Sequence, residues 1–344
     1  MTPRDFTRTS AVSLIASATF VLSACSDSST PDSDSSTGGA ASGGLNIVTT
    51  VAPITSITAS IAGERGTITG LVPEGTNSHT FEPPPSAAAQ LTDADVVFIN
   101  GLKLEEPTKD LAEANMADDA TLVEIGTQVL PESDYIYDFS FPEDEGKPNP
   151  HLWTDPTYAI EYGKLIRDTL IEADPDGQST YNENFEAFKA QTTELADALE
   201  ADQASIPEGD KELLTYHDAY AYFAKTYGWT VIGAIQPQNF EDPTPREVAA
   251  LIDQVKAEDV PVIFGSEVFP SEVLEEVGSA TGARYEDTLR DDDLPGEPGE
   301  AGHSWAGLMR YNYVTMISGL GGAAPELEAL DLTSEVPDGA EYPQ

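Results

Sequence analysis

Two hydrophobic patterns alternate along the chain after Gly44. Short runs of four to six residues, rich in Val and Ile and not cleanly alternating, read as strands buried on both faces. They fall at 45–50, 67–72, 96–100 and 121–125, and again at 212–216, 230–235, 261–265 and 283–286. Stretches of helical period lie between most of them, so the predicted arrangement is βαβ units with parallel sheets.

One helical stretch stands apart. Tyr181, Phe185, Phe188, Leu195, Leu199 and Ile206 follow steps of three and four or their multiples, a single stripe of one helix. Asp174-Pro175-Asp176 offers a start and Pro207 a stop. At 1.5 Å per residue this helix is about 39 Å long, enough to run along two lobes. The strand-like runs divide four and four around it. The predicted fold class is therefore α/β: two lobes, 45–175 and 208–330, each a mainly parallel four-stranded sheet flanked by helices, joined by a bridging helix at 176–207. Residues 132–150 (acidic, with Pro and aromatics) and 291–302 (Asp/Pro/Gly-rich) read as loops, and the polar tail 331–344 is expected to fray.

Before the first strand the pattern changes. Arg4 and Arg8 precede an apolar run over 11–22, followed by Leu22-Ser23-Ala24-Cys25. A charged start, a short apolar stretch and small residues at a cleavage point read as a secretory signal over 1–24, too short to span a bilayer. Cys25 is the only cysteine, so no internal disulfide can form. Leu-Ser-Ala-Cys resembles a bacterial lipobox, which implies lipidation of Cys25 as the first mature residue. Residues 25–44 are Ser/Asp/Gly/Thr-rich, a flexible tether with a reach of about 25 Å. The expected location is the outer face of the bacterial cytoplasmic membrane.

Charge sharpens this picture. Sixteen Lys and Arg stand against 61 Asp and Glu, a formal net charge of −45. Such a surface excludes binding to nucleic acid through its phosphates. It also disfavours contact with anionic lipid except through a covalent anchor. Hydrophobic residues make up 40% of the chain, which excludes a disordered acidic protein.

Only four histidines occur, at 79, 151, 217 and 303. His79 lies seven residues beyond the second predicted strand, His217 directly follows the fifth, and His151 sits in a loop just before a helix. In open α/β sheets ligands bind beyond the carboxyl ends of strands, where at least two of these histidines fall. Their spacing is no local metal signature, and a zinc finger or His-Glu-x-x-His protease is excluded by inspection. His303, near the start of a helix over 304–320, reads as a surface or capping residue.

Several ordered motifs add what spacing cannot. His79-Thr80-Phe81-Glu82-Pro83 comes first, then Ala94-Asp95, Asn100-Gly101 and Leu104-Glu105. Asn149-Pro150-His151-Leu152-Trp153-Thr154-Asp155-Pro156 follows, then His217-Asp218-Ala219-Tyr220-Ala221-Tyr222-Phe223-Ala224 with Tyr227-Gly228. Through Val262-Ile263-Phe264 to Met309-Arg310-Tyr311-Asn312, the chain resembles the cluster A-I (cluster 9) metal-binding receptors of bacterial zinc and manganese ABC importers. The resemblance implies one divalent ion held between the lobes by four side chains: His79, His151, His217 and a carboxylate at a strand end in the second lobe. Asp287 fits that place, with Glu286, Asp291, Asp292 and Asp293 as neighbours that could substitute.

Three imidazoles and one carboxylate form a tetrahedral set of the kind zinc favours, whereas manganese prefers more oxygen. The resemblance points the same way, since histidine at the third position goes with zinc and glutamate with manganese. Zn²⁺ is then the cargo, and affinity is expected to weaken below the ordinary histidine pKa near 6.5. Zinc members often carry a histidine-rich loop between the first two ligands; here 132–150 is acidic instead, either a weak cation collector or a solvated loop. The implied partners are an ABC permease and its ATPase, with metal arriving free or from a metallochaperone, and a monomeric receptor. Alternatives are a manganese-type receptor, a secreted zinc hydrolase and a surface adhesin. The hydrolase suffers from having four protein ligands where a catalytic zinc keeps an open position.

Overall fold

The computed structural model describes residues 44–344 except 238, 241, 242, 259, 268–271, 301, 335, 337 and 344, and except the side chains of 258, 287 and 288. Cys25, the signal segment and the tether before Gly44 lie outside the described residues.

The first lobe runs β1 (Leu45–Thr49), α1 (Ala52–Ala62), β2 (Gly66–Gly70), α2 (Ala87–Thr92), β3 (Val96–Ile99), α3 (Glu106–Asn115), β4 (Thr121–Glu124), α4 (Ile125–Val129) and α5 (Pro156–Ala173). A single helix, α6 (Gln178–Gln203), follows. The second lobe runs β5 (Glu212–Thr215), α7 (Ala221–Tyr227), β6 (Thr230–Ala234), α8 (Pro245–Glu258), β7 (Val262–Ser266), α9 (Glu272–Thr281), β8 (Arg284–Leu289), α10 (Trp305–Gly319) and α11 (Pro325–Ala329). Both sheets are four-stranded and parallel, in the orders β2-β1-β3-β4 and β6-β5-β7-β8. Each order reverses beside its first strand, which opens a crevice at the carboxyl ends of β1/β3 and of β5/β7.

The strands lack clean alternation because both of their faces are buried. In β3, Val96 and Phe98 enter one core while Val97 and Ile99 enter another; in β7, Val262 and Phe264 face one side and Ile263 the other. The shared core contains Ile47 and Phe98 of the first lobe, Tyr181, Phe185 and Leu195 of α6, and Phe264, Trp305 and Met316 of the second. Two smaller cores, around Val97 and Leu91 and around Ile263 and Val277, close the outer faces of the sheets.

The helix α6 has 26 residues, with the predicted stripe of Tyr181, Phe185, Phe188, Leu195 and Leu199 buried. It is fastened at both ends. Asn184 Nδ2 donates to Ile61 O in the first lobe (3.0 Å), and the rings of Phe188 reach close to Gly163 of α5. Toward the second lobe, Asp202 accepts from the backbone N–H groups of Glu326 and Leu327, capping the first turn of α11, and Gln203 Oε1 accepts from Trp229 Nε1 (2.6 Å). The start of α10 crosses back: Trp305 N donates to Ser56 Oγ, Trp305 Nε1 to Trp153 O, and Tyr313 Oη to Thr154 O.

Two sequence expectations need correction. The tail is not frayed: Glu341 pairs with β2 through its N–H to Ile68 O (2.8 Å) and its carbonyl to Gly70 N (3.0 Å), and Leu332 is buried. An edge strand offers unpaired backbone groups, and this polar segment has the extended backbone to meet them. His303 is neither exposed nor a cap. It is 5% exposed, with its ring edge-on to Tyr342, while Ser304 caps α10 by accepting from Gly307 N.

Candidate metal centre

His217 comes directly off β5, at the point where the second sheet reverses. His79 sits in a 3₁₀ turn, Ser78–Thr80, capped by Asn77, whose Oδ1 accepts from His79 N. His151 precedes a second such turn, Leu152–Thr154, which leads into α5 through Asp155, an N-cap accepting from Thr157 N. Short turns with local caps leave each imidazole little freedom.

The three histidines meet at one point. The Nε2 atoms of His79 and His151 are 3.2 Å apart, those of His79 and His217 3.3 Å, and those of His151 and His217 2.9 Å. A tetrahedral ion with bonds of about 2.0–2.1 Å requires donor separations of roughly 3.3–3.4 Å, close to this triangle. The opposite nitrogens define which protons are present. His151 Nδ1 lies 2.8 Å from Asn149 Oδ1, and His217 Nδ1 2.5 Å from Gln236 Oε1. An amide oxygen only accepts, so each Nδ1 carries the proton and each Nε2 presents a lone pair. Two lone pairs 2.9 Å apart cannot bond each other; a cation between them satisfies both. Among the described residues, these three form the one cluster of His, Cys, Asp or Glu with such convergent donor atoms.

Burial keeps these groups neutral. His151 is fully buried, His217 nearly so and His79 half-buried. Desolvation lowers His79 and His151 well below the usual imidazole value, with neighbouring histidines adding to the effect, and brings His217 down to about 4. These lowered values place proton competition for the ligands at more acidic conditions than the ordinary imidazole value of about 6.5.

Aromatic residues roof the site. Phe240 stacks on His79 with ring centroids 4.3 Å apart and planes 2° from parallel, and Phe141 lies 5.4 Å from His79 and 5.7 Å from His151. Phe240 holds a left-handed backbone (φ 57°), uncommon for a bulky residue and a sign of local constraint. Phe141 belongs to the acidic loop, whose middle is no solvated loop. Ser140 is buried and ties to the second lobe, its N–H donating to Asp218 Oδ2 (3.0 Å) and its hydroxyl to Gln236 O (3.0 Å), while Ile136 N donates to Tyr222 Oη. The carboxylates at either end, Glu132 and Asp134, Glu143 to Glu145, are exposed.

Behind His151 is a buried scaffold. Asn100 Nδ2 holds Pro150 O (2.9 Å) and its Oδ1 accepts from Tyr162 Oη (2.6 Å). Glu105 accepts from Thr50 Oγ1, Asn100 N and Gly101 N, fixing a turn in which Gly101, Leu102 and Lys103 all have positive φ. Burial raises Glu105 to about 7 despite those donors.

The expected carboxylate, Asp287, is the extra residue of a bulge, since Phe264 pairs with Glu286 and Gly265 with Thr288; its side chain lies outside the described residues. Beyond β8, Asp291, Asp292 and Asp293 are all buried, and Glu267 Oε1 accepts from all three of their backbone N–H groups. Among the described residues Asp291 and Asp292 each have a buried oxygen without a hydrogen-bond partner; burial raises the pKa of both, Asp292 to about 8 although the Ser78 hydroxyl beside it acts against the shift. Ser78 directly precedes His79. Sequence reasoning singled out neither Gln236, Phe141 nor Phe240; Asn149 appeared only as part of a motif. Nothing in the local pattern distinguishes Gln236 from an ordinary loop residue.

Comparison with known proteins fits this geometry. The family described as zinc-uptake complex component A, periplasmic, matches residues 47–319. The manganese-binding lipoprotein MntA of Halalkalibacterium halodurans is 32% identical over 281 residues, covering 80% of this chain and 89% of that one. The iron-binding protein YfeA of Yersinia pestis is 29% identical over 278 residues, covering 80% and 86%. The periplasmic zinc-binding protein TroA of Treponema pallidum shares the fold, with a TM-score of 0.73 at 22% identity over 81% of this chain and 99% of that chain. No helix among the described residues is long and apolar enough to cross a membrane.

Proposed function

Because the chain belongs to the family of periplasmic zinc-uptake component A, the metal-binding substrate-binding proteins of ABC importers, we propose that zinc is the ion it captures for delivery to a membrane permease and its ATPase. It is not an enzyme, and it works at the outer face of the cytoplasmic membrane. One observation carries the choice of zinc: three imidazoles whose Nε2 atoms converge to within 3.3 Å of one another. Such a nitrogen-rich set, completed by one carboxylate, suits zinc better than an oxygen-seeking ion.

His79 and His151 supply the first-lobe ligands and His217 the second-lobe ligand. The fourth donor is a carboxylate of the 287–293 segment. Asp287 is the reading from sequence; Asp291 and Asp292, each with a buried, incompletely partnered oxygen, are the alternatives. Asp287→Asn, Asp291→Asn and Asp292→Asn, compared for zinc affinity, decide among them, because only loss of the true ligand weakens binding by more than the roughly 10–100-fold of an outer partner. A lipid on Cys25 holds the receptor, a monomer, near its permease, and Cys25→Ala is expected to release it from the membrane.

Manganese is the second reading, supported by the names of relatives such as MntA. Competition calorimetry at neutral pH separates the two. Zinc displacing bound manganese is the expected result; manganese displacing zinc refutes the zinc assignment.

A further inference from the structure

We infer that Asn149 is a positioning residue that fixes the metal-ready tautomer of His151 and ties it to the second lobe before any ion arrives. The inference rests on the capture reading above and concerns how that site is made ready.

An amide can be placed either way round in most settings, but not here. Asn149 Oδ1 faces two donors at once, the backbone N–H of His151 (3.1 Å) and His151 Nδ1 (2.8 Å). A backbone N–H cannot become an acceptor, so the oxygen of the side chain must point at it. With the oxygen so placed, His151 Nδ1 must carry its proton, and Nε2 is left with the lone pair that faces His79 and His217. The other end of the amide is equally committed. Asn149 Nδ2 donates to Asp218 O, the residue after His217 (2.8 Å), and to the carboxylate of Asp138 (3.2 Å). Both acceptor positions and both donor hydrogens are used, and the side chain is fully buried.

The equivalent amide in the second lobe is built differently. Gln236 Oε1 receives His217 Nδ1, but Gln236 Nε2 is buried without a hydrogen-bond partner among the described residues. No backbone N–H dictates which way Gln236 faces. The tautomer of His151 is thus imposed by an obligate donor, whereas that of His217 is merely accommodated. Asn149 also joins a first-lobe ligand to the backbone beside a second-lobe ligand, the two that form the shortest edge of the nitrogen triangle.

The test compares Asn149→Ala, Asn149→Asp and Gln236→Ala with the parent, using ¹⁵N-labelled histidine and zinc as the probe. Asp at 149 retains an acceptor for both His151 donors but cannot donate to Asp218 O. Expected results are an Nδ1–H tautomer for His151 in the metal-free parent and in Asn149→Asp, a mixed tautomer in Asn149→Ala, and zinc affinity about 10–100-fold weaker in Asn149→Ala. Gln236→Ala should lose less. A residue that merely supports the fold would lower thermal stability without moving the tautomer. The inference is overturned if the metal-free parent carries the His151 proton on Nε2, a result that needs no variant to fold, or if Asn149→Ala binds zinc within twofold of the parent. Failure of the parent itself to bind zinc would instead refute the capture reading.

Discussion

The two sheets share a strand order but not a regularity. In the first lobe the pairings of β1 with β2, β1 with β3, and β3 with β4 run without a break. In the second, register shifts between Leu213 and Leu214 of β5 and between Phe264 and Gly265 of β7. The extra residues are Ile232 of β6 and Asp287 of β8, so the strands that bend are those leading to Gln236 and to the Asp291–Asp293 segment, while β5 and β7, which precede His217 and Glu267, carry no extra residue there. The first lobe offers His79 and His151 from turns beside an undistorted sheet; the second offers His217 from a strand flanked by a bulged neighbour. The lesson is a division of labour. One lobe places two imidazoles beside an unbroken sheet, the other places its imidazole beside a bulged strand, and α6 and the Trp305 crossing hold the two lobes together.

The largest expected effect removes a ligand. His151→Ala or His217→Ala should weaken zinc binding by more than the roughly 10–100-fold expected for an outer partner, measured by competition with a chromophoric chelator. Equal affinity in either variant and the parent would end the assignment of that residue. Next comes the joint between the lobes. Trp305 is buried, packs at a tilt against Phe188 and donates to Trp153 O, so Trp305→Ala should cost about 3–5 kcal/mol in chemical denaturation. A loss below about 1 kcal/mol would contradict the account of a shared core.

Acidity should separate this site from one with ordinary histidines. Their lowered pKa values mean that the folded protein holds these imidazoles neutral below pH 6.5. Zinc affinity should therefore hold as pH falls past 6.5 and begin to weaken only in a more acidic range. Half-release near pH 6.5 would show that the rings are solvated.

A smaller effect runs the other way with pH. Glu105, Asp293 and Asp292 have raised values of about 7, 7 and 8, chiefly through burial. Between pH 6.5 and 9 the native state binds more protons than the unfolded chain, so metal-free stability falls as pH rises through these values. Thermal denaturation of the metal-free protein at pH 6.5 and pH 9 checks this, and a higher melting temperature at pH 9 would contradict it.

Much of this organisation was legible in the chain because its causes are local. Strands buried on both faces announce themselves as unbroken apolar runs, and the α6 stripe from Tyr181 to Leu199 follows helical period. The histidines were legible only through their ordered motifs, since the turns that bring residues 79, 151 and 217 together are tertiary facts. What stayed hidden depends on distant partners. His303 is buried because the tail covers it, and the tail is ordered because β2 has a free edge. The middle of the acidic loop reaches Asp218 and Gln236, contacts that no composition reveals. The bulges, likewise, are visible only in register.

The central claim is that one zinc ion sits among three Nε2 atoms contributed by both lobes. Diffraction from zinc-loaded crystals on the two sides of the zinc absorption edge tests it most directly. The account predicts a single strong anomalous peak about 2.0–2.1 Å from the Nε2 atoms of His79, His151 and His217, with one carboxylate oxygen completing the shell. A zinc peak elsewhere, or none within bonding distance of these three nitrogens, would contradict it.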